Sequence, residues 1–516
     1  MKLKLAFVII AVNCAAALAI GICFLSFAYL EEIARRSFTP ANNPAVGPGN
    51  ERRGDTPLGI DKTILMDREK SAAKIQSMQN MLKDHLNNPR IYTRLPEAEF
   101  FKSLIGYYFL SRILSATTVT LDQDIINNFK SKGMILYSMD KTYPLMKKSI
   151  YIDKRRKTAS KPIIRPGTNI IFIFVESLSQ FFLRDDVHGV KGLTTHFKDM
   201  ERDSLVFTNM YNAAFPTIRG LIASLGSGTY LLDENIGGTR IPIPCRFLFL
   251  SDILKKLNYT NIHIQAGSER FIGMKNFFMK RQSYDYFYGS ESLALKNFGS
   301  FKNGFGVDDD TLFDFIVDWL KKYQDTRPFL LTVSTINSHP PFKVRQRLAA
   351  AGDNDMLNAL YSTDIAFGKF WDYFKNSRHR DNTLVILTAD HAMGNNNEYI
   401  RFMKNHEQYF RPFFDRIPCF FYFPGGAWRG MKNDTVCMNL DFLPTILDMM
   451  NLDLANPFMG VSIYAESKYY NRTENMLGWN NMDAKKLEEA KKVLSFFLNI
   501  YREDRIVPPN YTVQLY

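Results

Sequence analysis

The chain has 516 residues, 65 Lys+Arg against 52 Asp+Glu for a net charge of +13, 46% hydrophobic residues and five cysteines. That hydrophobic share excludes a wholly disordered chain, and a mean hydropathy of −0.19 with one long apolar run excludes a polytopic membrane protein. So few cysteines exclude a disulfide scaffold, and the length admits up to about three domains.

The apolar run comes first. From Leu5 to Leu30 there is no charged residue and Asn13 is the one strongly polar side chain. As a helix this run spans roughly 39 Å, against about 30 Å of bilayer hydrocarbon. Residues 5–30 are therefore expected to form a transmembrane anchor behind a cytoplasmic tail, residues 1–4. Lys2 and Lys4 precede it, whereas Glu31 and Glu32 offset Arg35 and Arg36, so the positive-inside rule places nearly all of the chain outside. A cleavable signal peptide, with Ser26-Phe27-Ala28 at its end, is the alternative, but its apolar core is normally about 7–15 residues.

Residues 31–165 read as linker and helical stalk. The Pro-, Gly- and Asn-rich stretch 37–60 is a flexible linker, and helical spacing follows over 62–88 and 97–115. Residues 100–121 are apolar but interrupted by Lys102 and Arg112, which suits an amphipathic helix rather than a second span. The basic cluster Lys154-Arg155-Arg156-Lys157 reads as a solvated loop, with contact to anionic lipid as the alternative.

From Asn169 the pattern changes. Asn169–Val175 is a continuous apolar run that fits a strand buried on both faces, as do Phe329–Thr335, Thr383–Thr388 and Cys419–Phe423. Helical stretches intervene at Thr311–Lys322, Ala359–Asn376 and Phe442–Met450. Strands alternating with helices give an α/β layered domain over residues 166–465. Residues 466–516 are expected as a helical extension, with an amphipathic helix over 482–504.

In open α/β sheets, ligands bind beyond the carboxyl ends of the strands. The first strand runs into Glu176-Ser177, the third leads through Ala389 to Asp390-His391, and Phe329–Thr335 leads to Ile336-Asn337-Ser338-His339. Two carboxylates and an imidazole at neighbouring strand ends suit a divalent metal, with His339 nearby. Taken singly, each residue has an ordinary explanation as a cap, a surface acid or a structural histidine; their joint placement carries the argument. Between them, Phe215-Pro216-Thr217-Ile218-Arg219-Gly220 precedes a small-residue stretch. A helix starting near Thr217 would put its hydroxyl where free N–H groups favour a phosphate, and a metal would activate it as a nucleophile. The plain alternative is that Thr217 only caps that helix.

At these residues the chain resembles the lipoteichoic-acid synthase and membrane-oligosaccharide phosphoglycerol transferase group of the alkaline phosphatase/sulfatase superfamily. The resemblance covers about residues 166–465, in collinear order. It includes the strand ending in Glu176-Ser177, Thr217-Ile218-Arg219-Gly220, Gly267-Ser268-Glu269-Arg270-Phe271 with Asn276-Phe277-Phe278 and Tyr284-Asp285. Gly306-Val307 with Asp309 or Asp310, Asn337–Phe342, Asp390-His391 and Asp441-Phe442-Leu443-Pro444-Thr445 complete it.

This resemblance implies an alkaline-phosphatase-like, mostly parallel sheet between helices, and a transferase with one divalent metal, usually Mn2+, with Zn2+ or Mg2+ as alternatives. By carry-over Glu176, Thr217, Asp390 and His391 hold the metal, and Thr217 is the nucleophile. His339 contacts the transferred group or protonates the leaving oxygen, and Arg219, Arg270 and Lys275 join it in binding substrate. It further implies a membrane phospholipid donor, phosphatidylglycerol, and a surface glycan, lipid or polymer acceptor, reached through a phospho-threonine intermediate. The setting would be the bacterial cytoplasmic membrane, with the catalytic domain on its periplasmic or extracellular side.

Two departures stand out. Some members have Trp and Arg where this chain has Gly273 and Lys275, and a lysine meets phosphate without an arginine's fork. Typical members also carry several transmembrane helices where this chain has one. The rival readings are a phosphoethanolamine transferase, a phosphodiesterase or sulfatase-type hydrolase, and a non-catalytic anchored scaffold. A true sulfatase would need a Cys- or Ser-x-Pro-x-Arg nucleophile, which Pro244-Cys245-Arg246 does not supply. Nucleic-acid binding is a poor reading of the charge, because the basic residues are spread out. Cys14 and Cys23 fall in the anchor, leaving Cys245, Cys419 and Cys437 outside, where a Cys419–Cys437 bridge and buried thiols are both open.

Overall fold

The computed structural model describes residues 142–151, 164–228, 246–279, 283–295, 305–342, 344–413, 415–465, 500–501 and 503–516. The expected anchor, nearly all of the stalk, the basic cluster at 154–157, Cys245 and the expected helix through residue 499 lie outside these. No helix among the described residues is long and apolar enough to cross a membrane.

Among the described residues eight strands form one sheet, in the order β5-β4-β6-β1-β7-β8-β2-β9. In chain order they are β1 (Asn169–Val175), β2 (Leu205–Phe207), β4 (Thr260–Gln265), β5 (Tyr286–Tyr288), β6 (Phe329–Ser334), β7 (Thr383–Ala389), β8 (Cys419–Tyr422) and β9 (Lys432–Asn433). Two further strands, β3 (Met210–Tyr211) and β10 (Cys437–Met438), pair parallel on their own. From β5 to β7 every pairing is parallel, and β8 turns antiparallel against both β7 and β2. The expected α/β class with a mostly parallel sheet is what forms. Every residue of β1 and of β7 is buried, as expected of apolar β-branched strands covered by helices on both faces.

Helices α1 (Thr195–Arg202), α2 (Thr217–Gly226), α3 (Leu250–Lys256), α4 (Asp309–Lys322), α5 (Asp355–Lys375) and α6 (Phe442–Met449) cover the sheet. Helix α5 starts four residues before the expected position because Asn354 caps it, accepting from Leu357 N at 3.0 Å. Its face Leu357, Leu360, Phe367, Phe370 and Phe374 is buried in the core. The chain is helical at Ile500–Tyr501, and residues 503–516 carry no helix, in keeping with Pro508-Pro509.

Register fixes where the functional residues meet. Val175 at the end of β1 lies opposite Ala389 at the end of β7, Phe174 opposite Ser334 of β6, and Ser334 opposite Gln265 of β4. Four parallel strands therefore release their chains at one edge, beside the start of α2.

Candidate active site

Leaving β1, Glu176 donates its N–H to Thr335 Oγ1 at 2.9 Å, and its carbonyl accepts from the Ser338 hydroxyl. Ser177 turns into the left-handed region at φ 55°. That turn lets its N–H reach Asp390 Oδ1 at 2.9 Å and its hydroxyl reach Glu176 Oε1 at 2.7 Å. A non-glycine residue held at positive φ is the kind of local strain that surrounding contacts must maintain. Beyond β7, His391 N also donates to Asp390 Oδ1, at 2.9 Å. Its Nε2 lies 3.4 Å from Asp390 Oδ2 and 3.8 Å from Glu176 Oε1.

Thr217 is the first residue of α2 and donates its hydroxyl to Glu176 Oε2 at 3.0 Å. The helix can approach this closely because residue 220 is glycine: a Cβ there would sit 2.2 Å from Asp390 O. Gly220 thus has a physical reason: it lets the helix that starts at Thr217 pack against the loop that carries Asp390 and His391.

The electrostatics follow from burial. Burial and then the neighbouring Glu176 charge push the Asp390 carboxyl up to about 7. Burial acts the same way on Glu176, but the His391 and His339 imidazoles and the Ser177 hydroxyl together leave it below its ordinary value. Burial lowers His391, and the two carboxylates more than reverse this.

Glu176, Asp390 and His391 each offer a ligand atom, all within 4.8 Å of one another. Asp390 Oδ2 is buried with no hydrogen-bond partner. The Ala392 carbonyl, 2.9 Å from His391 Nδ1, can only accept, so the ring proton sits on Nδ1 and Nε2 keeps its lone pair. An unsatisfied buried carboxylate oxygen, a second carboxylate and a correctly oriented imidazole fit one divalent cation.

The cluster opens on a small, partly open cleft, whose lining includes Glu176, Thr217, His339, Gln265, Thr335, Ile336, Phe271, Met274 and Phe305. His339 is half-buried, with Nδ1 2.6 Å from Pro340 O and its ring edge-on to Phe305 at 4.6 Å. The structure thus brings Glu176, Thr217, His339, Asp390 and His391 together, and Arg219 lies half-buried in the first turn of α2.

Two expected substrate residues sit elsewhere. Arg270 is exposed, and Lys275 is paired with Glu269; neither lines the cleft. Glu269 also accepts from Gly289 N at 3.1 Å and from Ser292, so the local charge is settled within the segment. Sequence reasoning missed Ser177, Thr335, Ser338 and Phe305. A serine directly after the strand-end glutamate was the one visible signal; the other three act through long-range contacts. Cys419 and Cys437 are buried thiols, and burial raises Cys419 well above the ordinary thiol value.

The sulfatase family model matches residues 168–452. The chain belongs to the sulfatase family. Within it, the resemblance to the lipoteichoic-acid synthase and phosphoglycerol transferase group holds, and the chain is an enzyme of the alkaline phosphatase superfamily. Phosphoglycerol transferase I of Citrobacter koseri is 26% identical over 317 residues, 58% of this chain and 39% of that protein. The protein of the same name from Escherichia fergusonii is 27% identical over 257 residues, 46% of this chain and 33% of its own length. This sulfatase-family chain therefore spans well under half of the curated relatives it matches.

Among solved structures, an alkaline phosphatase superfamily protein from Vibrio parahaemolyticus superposes with a TM-score of 0.55 at 18% identity, covering 75% of this chain and 98% of that one. The lipoteichoic acid synthase LtaP from Listeria monocytogenes gives a TM-score of 0.51 at 15% identity, covering 74% and 98%. These likenesses establish the fold of the sulfatase-family domain.

Proposed function

We propose that the protein is a membrane-anchored, metal-dependent transferase. It moves a phosphoglycerol group from phosphatidylglycerol to a surface glycan, lipid or polymer through a phospho-threonine intermediate. The observation that carries this reading is the Thr217 hydroxyl, 3.0 Å from Glu176 Oε2 at the start of a helix and at the mouth of the Glu176–Asp390–His391 cluster. A divalent cation, Mn2+ in the first instance and Zn2+ or Mg2+ otherwise, would be held by Glu176, Thr217, Asp390 and His391 and would supply Lewis-acid stabilisation of the phosphoryl charge.

The chain's own residues supply the rest. Glu176 orients the Thr217 hydroxyl, and its Oε2 lies on the path of the departing proton. Thr217 Oγ forms a bond to phosphorus as the bond to the diacylglycerol oxygen breaks. His339, whose Nδ1–H is engaged by Pro340 O, delivers a proton from Nε2 to that oxygen. In the second half the acceptor hydroxyl gives its proton back to His339 while its oxygen displaces Thr217 from phosphorus, and the proton that Glu176 Oε2 took from Thr217 returns to Thr217 Oγ. The first turn of α2 favours the anionic phosphoryl group throughout. The apolar run 5–30 and its flanking charges support an anchor in the bacterial cytoplasmic membrane with the catalytic domain on the outer, periplasmic side.

The test uses the full-length protein in detergent with Mn2+ and a fluorescent phosphatidylglycerol. Labelled diacylglycerol should appear, and should disappear with EDTA and in Thr217→Ala. Equal release from Thr217→Ala would overturn the nucleophile. Release from phosphatidylethanolamine alone would move the assignment to phosphoethanolamine transfer, and free glycerol phosphate as the end product would make the enzyme a hydrolase.

A further inference from the structure

The Gly306-Val307…Asp309 stretch runs between the two walls of the cleft. At one end it lies along the chain leaving β4. Val307 N donates to Ala266 O and Ser268 N to Phe305 O, both at 3.0 Å, and a Cβ on Gly306 would fall 2.0 Å from Ala266 O. At the other end stands Asp309, fully buried in the first turn of α4. Its Oδ1 accepts from Ile336 N at 2.8 Å. Its Oδ2 accepts from Asn337 N at 3.2 Å and from the Thr363 hydroxyl of α5 at 2.6 Å. In return Asp309 N donates to Asn337 Oδ1 at 3.3 Å. Two residues further on comes His339, whose N–H donates to Ile336 O at 2.9 Å and whose ring meets Phe305.

A buried carboxylate is costly unless its oxygens are fully bonded, so this one calls for a reason. Helix capping is not that reason, because Asp308 already caps α4 by accepting from Thr311 N at 2.9 Å. What Asp309 alone does is accept the two loop amides. An amide side chain of the same shape has one accepting atom in place of two, and would set its NH2 against either Ile336 N or the Asn337 and Thr363 donors.

We infer that Asp309 is a positioning residue that fixes the 336–339 loop through the Ile336 and Asn337 amides and so sets the place of the His339 imidazole in the cleft. The inference rests on the reading of His339 as proton carrier for the leaving and entering oxygens. Phe305, tied to the chain after β4, backs the same ring from the other side, so one short segment references His339 to both walls.

Two measurements on the full-length protein test it. The first does not need turnover: diethyl pyrocarbonate modification of His339, followed by mass spectrometry, should change in rate several-fold in Asp309→Asn, and an unchanged rate overturns the inference. The second is a double-mutant cycle on bis(p-nitrophenyl) phosphate and on fluorescent phosphatidylglycerol. Displacing a catalytic group by an ångström costs about 100-fold, so Asp309→Asn should lower kcat by about 10- to 100-fold with KM little moved and bound metal unchanged. In His339→Ala the same substitution should have no further effect. Equal losses with and without His339, or loss of metal, overturn the inference. Should Asp309→Asn not fold, Thr363→Val, which removes one donor, replaces it in both measurements with a smaller loss that again vanishes in His339→Ala. A changed modification rate without turnover of either substrate would leave Asp309's role standing and sink the transferase reading instead.

Discussion

The two walls of the cleft are built on different terms. On the side of β1, β7 and α2, a buried polar cluster is bonded together under a helix start. Residue 220 admits no Cβ against Asp390 O, Ser177 N is bonded to the Asp390 side chain, and Glu176, Asp390 and His391 are all buried. On the side of residues 267–295, side chains settle their charges among themselves. Lys275 pairs with Glu269, Glu291 takes Ser268 Oγ at 2.6 Å and Glu269 N at 2.8 Å, and Phe271 is 38% exposed. Atoms proposed to hold a metal and to attack phosphorus need a fixed geometry, which a buried, mutually bonded cluster supplies. A half-exposed segment can exchange side chains without disturbing that frame. The departure from the family pattern within the domain, at Gly273 and Lys275, falls on this second side.

The comparison can be broken at several points. The largest effect should come from Thr217→Ala, which removes the nucleophile from a half-buried position: phosphodiester turnover falls at least about 1000-fold while the melting temperature stays within about 3 °C. Gly220→Ala tests whether the first wall is as intolerant as its contacts say. A Cβ at 2.2 Å from Asp390 O has to move α2 or the Asp390 loop. Stability should fall by about 1–3 kcal/mol in a denaturant titration, and turnover by about 100-fold. If the second wall is the tolerant one, Lys275→Ala should change turnover by less than about 10-fold, mostly in KM, because Lys275 is turned to Glu269 and does not line the cleft. A large fall in kcat there would erase the distinction.

The smallest effect belongs to neither wall. Burial against the Leu145 and Phe458 carbonyls pulls Lys147 from 10.5 down to about 7. The unfolded chain keeps this proton up to about pH 10.5 whereas the fold releases it near 7. Lys147 therefore makes stability rise with pH across that window, by at most about 1.4 kcal/mol per unit, and is flat below it. Urea midpoints at pH 7 and pH 9 should show a difference in the wild type that shrinks in Lys147→Met, with catalysis unchanged.

Much of this was legible in the sequence. Asn169–Val175 and Thr383–Thr388 read as strands because each is a run of mostly apolar, β-branched residues, and the polar residues beyond them are the ones that meet. Their adjacency was not legible: strand order depends on crossovers, and β2, β3, β9 and β10 are two or three residues long, too short for any period. Arg270 and Lys275 were expected to bind substrate because their segment resembles the family's substrate-side segment. The sequence holds Glu269 next door, but only the fold shows which way Lys275 turns. Asp309 was visible within a family-like stretch, yet its partners Ile336, Asn337 and Thr363 come from elements that nothing local connects to it.

The sheet order has a further consequence, for the time course of biosynthesis. Thr217 lies 41 residues from its partner Glu176, whereas Asp390 is 213 residues beyond Ser177. A growing chain that has emerged only as far as α5 already owns Glu176, Thr217 and His339 but neither Asp390 nor His391. Long-range parallel pairing is slow to form, and β7 must pair along the open edge of β1 before Asp390 and His391 reach the other residues. The site is thus completed late and in one step, and a prematurely ended chain lacks two of the residues proposed to hold the metal.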